Sequence, residues 1–249
     1  MQSTDELLTK RLRELAERSR SRGCWTYSDF LDMAGQSDLM SAGIRTPFAL
    51  WGGFEGAERA VACFGSEETC YGPPEPPVAC VRVSPVSARF ADRLTHRDFL
   101  GALMSLGIKR ETLGDILLDG AEGYVLCLES MAPYLCENLT QVRHTTVTCS
   151  VCSAPPPGAL PKPERRGLHV ASLRCDAVTS AVWDLSRAES QELFRQKKVF
   201  INSRCCPDPS RELKEGDRVS VRGYGRYVYA AVTGETRKGR LRIDADVYV

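Results

Sequence analysis

The chain has 249 residues, enough for one large domain or for two to three small ones. Its 43% hydrophobic and 26% charged composition is that of a globular protein rather than a disordered one, and its apolar runs are too short to span a bilayer. The formal charge of +1 hides an asymmetry: residues 1–168 carry 18 Lys and Arg against 21 Asp and Glu, whereas residues 169–249 carry 15 against 11. The tail is therefore the part better suited to an anionic partner.

Eleven cysteines, odd in number and scattered behind a polar N-terminus, predict reduced thiols in the cytoplasm. The one CxxC, Cys149 to Cys152, runs into Ser-Ala-Pro-Pro-Pro instead of opening a helix. No zinc site, redox pair or cofactor is expected there.

Ser3 and Glu6 fit a capping box for a first helix, with Leu8, Leu12 and Leu15 inward and Gly23 as its stop. Its cations, from Lys10 to Arg22, are interleaved with Glu14 and Glu17 and read as a solvated face. Thr26 to Phe30 leads into a short helix near Asp32–Ala42, and Phe48–Trp51 and Ala60–Phe64 read as strands flanking a tight turn at Gly52-Gly53. The run Tyr71-Gly-Pro-Pro-Glu-Pro-Pro77 is a stiff connector that suggests a domain boundary.

Val78–Ser84 then predicts a strand. Thr95 and Asp98 cap a helix with Phe99, Leu100, Leu103 and Met104 inward, ending at Gly107. Asp115–Leu118 and Tyr124–Leu128 form a hairpin, Met131–Leu139 a helix and Val142–Cys149 a closing strand. The resulting β-α-β-β-α-β order is ferredoxin-like and is shared by RNA-recognition modules, although the aromatic signature that stacks bases is missing. Lys109 and Arg110, beside the helix end, are additional RNA-contact candidates or partners of the helix dipole.

Ser153–Arg166 holds five prolines and reads as a linker. Beyond it, Leu173, Ala177, Val178, Ala181 and Val182 share a helix face, and Ser186 with Glu189 caps a second helix carrying Leu193 and Phe194 inward. Val199–Ile201 is a strand, Asn202-Ser203 a hairpin turn, and Val219–Val221, Tyr227–Val232 and Leu241–Val249 are further strands. Arg174, Arg187, Arg195, Lys197, Lys198 and Arg204 surround these helices. Guanidinium forks and ammonium groups there suit phosphate.

Leu173–Asp217 resembles the S4 RNA-binding domain at Leu173-Arg-x-Asp176, Ser186-Arg187, Gln191, Val199–Asn202 and Gly216-Asp217. Upstream, Leu94-Thr-His96-Arg-Asp98-Phe-Leu-Gly101, Leu106-Gly-Ile-Lys109-Arg110-x3-Gly114-Asp115, Gly52-Gly53-Phe54 with Ala57-Glu58-Arg59, and Thr236–Arg240 resemble the YlmH-type S4-domain proteins of bacteria and plastids. The resemblance departs at Lys197, where a helix-stopping glycine is usual, and at Ser203, where an Asn-Gly turn would be usual and a looser hairpin is expected.

An α+β chain is thus expected, with an N-terminal α/β domain (1–72), a ferredoxin/RRM-like domain (77–152), a proline-rich linker (153–167) and a C-terminal S4 domain (168–249). The resemblance implies a monomeric, non-catalytic factor that binds rRNA or tRNA on the 50S subunit and acts on stalled translation away from membranes. Arg174, Ser186, Arg187, Gln191, Arg195, Lys197, Lys198, Asn202 and Arg204 would contact RNA, with Lys109, Arg110, Arg237, Lys238 and Arg240 as additional contacts. The alternative is an RNA-modifying enzyme such as a pseudouridine synthase with Asp176 as its carboxylate. His96, His144 and His169 form no legible nucleophile-and-base arrangement.

Overall fold

The computed structural model describes residues 4–87 and 94–248, with side chains from Glu6 onward. The expected cap at Ser3 lies outside the described residues. Two compact units divide the chain, one reaching residue 160 and the other starting at 161. Both are mixed α and β with antiparallel sheets.

In the first unit, α1 (Thr4–Arg22) ends at Gly23, whose φ of +60° lets its N–H return to the Ser19 carbonyl. Leu12 and Leu15 of α1 pack with Leu31, Leu39 and Phe64. Thr26–Leu31 is itself a strand, β1, rather than a lead into α2 (Met33–Ser41). With β2 (Phe48–Trp51) and β3 (Ala60–Phe64) it forms a sheet of order β1-β3-β2.

The next elements are β4 (Val78–Pro85), α3 (His96–Ser105), β5 (Leu113–Asp119), β6 (Glu122–Leu128), α4 (Ala132–Asn138), β7 (Gln141–Val142) and β8 (Thr145–Cys152). Their sheet has the order β5-β6-β4-β8-β7, every pair antiparallel. Thr95 and Asp98 form the expected capping box. Met104 is 41% exposed rather than inward, so Phe99 and Leu103 anchor the helix. The single strand expected at Val142–Cys149 is instead a small hairpin, because Arg143 takes a left-handed turn conformation (φ 53°) and sends the chain back along β8.

One face of this sheet, through Val81, Val83, Val125 and Cys127, packs on Phe99, Leu103 and Leu135 of the two helices. The other face, through Cys80, Leu117, Tyr124 and Leu126, packs on Phe30, Phe54, Val61 and Cys63. The proline run at 71–77 therefore does not separate two bodies, since the small N-terminal sheet and the larger sheet share a core. Ala159, in the proline-rich segment, is buried in that same core. The segment stops being a linker at Glu164, where a strand begins.

The second unit consists of β9 (Glu164–Val170), α5 (Cys175–Trp183), α6 (Arg187–Arg195), β10 (Val199–Ile201), β11 (Arg204–Cys205), β12 (Arg218–Val221), β13 (Gly225–Glu235) and β14 (Leu241–Tyr248). The sheet order is β11-β10-β12-β13-β14-β9. Val178, Val182, Leu193 and Phe194 of the helices close over Val199, Val219, Tyr227 and Ile243. Cys175 is fully buried there, acting as a small apolar side chain. The Tyr227 hydroxyl, buried with it, lies 2.9 Å from that of Thr179, so burial leaves neither group unpaired.

Candidate nucleic-acid interface

The expected RNA contacts divide into side chains that hold the fold and side chains that face solvent. Arg174 donates from Nε and Nη2 to the two Asp176 oxygens at 3.0 and 2.8 Å, and this Asp176 is buried. The pair is bidentate and fixes the orientation of both side chains. Ser186 caps α6: its hydroxyl accepts from the Glu189 N–H, and Glu189 in turn accepts from the Ser186 N–H. Those bonds hold the Glu189 pKa below the usual carboxylate range. Asn202 donates to Asp217 at 2.8 Å and accepts from the Arg218 N–H at 3.0 Å. Arg195 pairs with Glu192 at 2.8 Å, although both are exposed and the pair is weak. Gln191 is half-buried.

Arg187, in the first turn of α6, is exposed and has no hydrogen bond or ion pair among the described residues; the same holds for the Lys197 and Arg204 side chains. Lys198 is half-buried. α6 stops at Lys197 in a left-handed conformation (φ 53°), with the Lys198 N–H returning to the Leu193 carbonyl. A lysine therefore does the work of the usual glycine and keeps its charge at the helix end. Asn202 and Ser203 both have positive φ (50° and 65°), and Ile201 pairs directly with Arg204. The hairpin is a tight two-residue turn, not the looser one expected, because an asparagine side chain bonded on both sides tolerates the left-handed region.

Arg240 donates to the His169 carbonyl at 2.7 Å, whereas Arg237 and Lys238 stand exposed at the tip joining β13 to β14. Arg174, Arg187 and Arg240, far apart in sequence, line one cleft of about 690 Å³. Two further cations lie outside the sequence motifs. Arg218 is exposed beside Asn202, and the Arg222 guanidinium lies 5.5 Å from the Phe200 ring centroid.

In the first unit, Lys109 and Arg110 have opposite fates. Lys109 is exposed. Arg110 turns inward and donates to the Leu113 and Gly114 carbonyls at 3.0 and 3.2 Å. Burial lowers its pKa, with Asp115 and Asp32 opposing that loss. Its guanidinium is thus engaged with the main chain of its own unit. Arg59 donates to the carbonyls of Leu113, Phe30 and Arg110 at 2.8, 3.1 and 3.0 Å. Asp115 accepts from the main-chain N–H groups of Glu58 and Arg59. Burial pushes the Arg59 pKa down to about 10, so it stays charged at neutral pH. A β-carbon on Gly114 would lie 2.7 Å from Phe30 Cε1 and 2.8 Å from Leu126 Cβ. The Glu58-Arg59 and Arg110-x3-Gly114-Asp115 motifs are thus two halves of one clasp.

RNA-recognition modules stack bases on the sheet face opposite their helices. Here that face is covered through Tyr124 and Leu126, so base stacking on them is excluded. Its open end carries Arg82, Ser84 and Tyr124 Oη, all bonded to Glu122. A larger hollow of about 910 Å³ beside α1 sets Glu6, Glu14, Glu17 and Asp38 against Lys10 and Arg13, and its excess of carboxylates disfavours phosphate. Cys149 and Cys152 sit on β8, donating to the Leu139 and Cys80 carbonyls. Among the described residues no group of three or more His, Cys, Asp or Glu is arranged to hold a metal, and no helix is long and apolar enough to cross a membrane.

Residues 83–154 match the YlmH_RBD family model, described as "Putative RNA-binding domain in YlmH". The match falls on the larger sheet of the first unit and its helices. A solved structure titled "Cell division protein ylmH from Streptococcus pneumoniae" is similar with a TM-score of 0.48 and 18% identity, covering 61% of this chain and 93% of that one. The "Ribosome-associated protein quality control protein P2" of Bacillus subtilis (strain 168) is 31% identical over 233 residues, covering 87% of this chain and 84% of that protein. Similarity of that extent, running through both compact units, places the chain in the YlmH family.

Proposed function

We propose that this protein is a non-catalytic RNA-binding factor that associates with the ribosome, gripping rRNA or tRNA on the 50S subunit through an S4-type C-terminal unit. In this reading it acts in the rescue or quality control of stalled translation; the name of its Bacillus subtilis relative, a ribosome-associated protein quality control protein, supports the quality-control part. The observation that carries this reading is the exposure of Arg187, Lys197 and Arg204 around α6, without protein partners among the described residues, while neighbouring motif polar groups are bonded into the fold. Unpaired cations are those able to release counterions when they meet phosphate. The α5–α6 pair followed by a tight hairpin supports the S4 assignment. The match at residues 83–154 supports a second RNA contact, for which Lys109 is available and the covered part of the sheet face is not.

The experiment is binding of the purified protein to 50S subunits, with and without peptidyl-tRNA, and to tRNA over a salt series. Affinity should fall steeply with salt. Salt-independent binding, or no loss in a Lys197→Ala, Arg204→Ala variant, would remove the reading.

A further inference from the structure

The cleft in the second unit has a chemistry that a plain phosphate grip does not need. Ala177, Ala181 and Leu185 contribute its small apolar lining, and Gly167 to Val170 of β9 line it as well. Among the described residues β9 pairs with β14 alone, so its outer edge offers main-chain groups with no described strand beside them. Arg187 and Arg240 also line the cleft, the second oriented by its bond to the His169 carbonyl. Asp184, exposed at the left-handed end of α5 (φ 51°), lines it too, while the Arg174–Asp176 pair that also faces it is internally neutralised.

We infer that this cleft seats one unpaired nucleotide of the bound RNA. The inference rests on the RNA-binding reading above and specifies what that site takes. The volume of about 690 Å³ is in the range of small-molecule sites and admits a nucleotide, not a duplex. Alanine methyls allow close approach of a flat ring, and base edges become available only where a nucleotide is splayed out of a helix. Arg187 and Arg240 meet the phosphate. Asp184 would repel a phosphate but accepts a hydrogen bond from a base amino or imino group, so the combined charges fit a nucleotide better than a bare anion.

The test compares two RNA hairpins, one fully paired and one with a single bulged nucleotide, binding to the full-length protein. The wild type should prefer the bulged hairpin by about tenfold. Ala181→Leu fills the cleft and should abolish the preference while leaving binding to the paired hairpin intact. Arg240→Gln should also reduce the preference, and it decides the matter if the leucine variant fails to fold. A wild type that binds both hairpins equally overturns the nucleotide site yet leaves RNA binding standing. A preference that survives both substitutions overturns it too. If neither hairpin nor any ribosomal RNA binds, the broader reading has failed and the cleft site falls with it.

Discussion

Arg59 and Arg110 in the first unit and Arg187 and Lys197 in the second belong to motifs of similar appearance, yet the protein uses them in opposite ways. The first pair lies inside a clasp, its guanidinium groups spent on main-chain carbonyls. The second pair stands in solvent. The difference teaches that a cation in a family motif is not by itself a nucleic-acid contact. What matters is whether the fold leaves carbonyls within its reach. The carbonyls of Phe30, Leu113 and Arg110 all accept from Arg59, so the clasp arginine serves stability and the helix-end lysine remains available for binding.

The comparison can be broken most forcefully at Arg59. Arg59→Ala should cost about 3 kcal/mol in denaturant unfolding, because three carbonyls lose a charged donor. Near-wild-type stability would mean that the clasp does not hold the two sheets. Gly114→Ala comes next, at about 2 kcal/mol, since the new methyl group drives into Phe30 and Leu126. Neither change should lower RNA affinity while the protein stays folded.

On the other side, Arg187→Ala with Arg204→Ala should weaken binding to 50S subunits or tRNA about tenfold and reduce the log–log salt slope by about 2. Their stability should shift by no more than about 0.5 kcal/mol, as expected for surface positions. An unchanged salt slope would place the grip elsewhere. The smallest effect is expected from Lys197→Gly, which relieves the left-handed backbone and should stabilise by about 1 kcal/mol while slightly weakening RNA binding. A destabilised glycine variant would show that the lysine stem contributes packing that outweighs the strain.

Legibility followed the range of the forces involved. The capping boxes at Thr95 and Ser186, the stop at Gly107 and the buried faces of α5 and α6 are local, and they were readable from a few neighbouring residues. β1 and β9 were not, because each pairs with a strand distant in sequence. The tight hairpin at Asn202-Ser203 was misjudged for a similar reason: Asp217, fifteen residues on, holds the asparagine in place.

By itself, the sequence determined the helices, the caps at Thr95 and Ser186, the α+β class and the family, since these depend on local pattern and motif order. Only the tertiary structure decided which charges are available. It joined Arg59 to the carbonyls of Leu113 and Arg110, folded the sheet face of the larger sheet against Phe30 and Phe54, and gathered Arg174, Arg187 and Arg240 around one cleft. The reason is that a cation's role depends on desolvation and on the acceptors that surround it in space, and residues distant along the chain supply both.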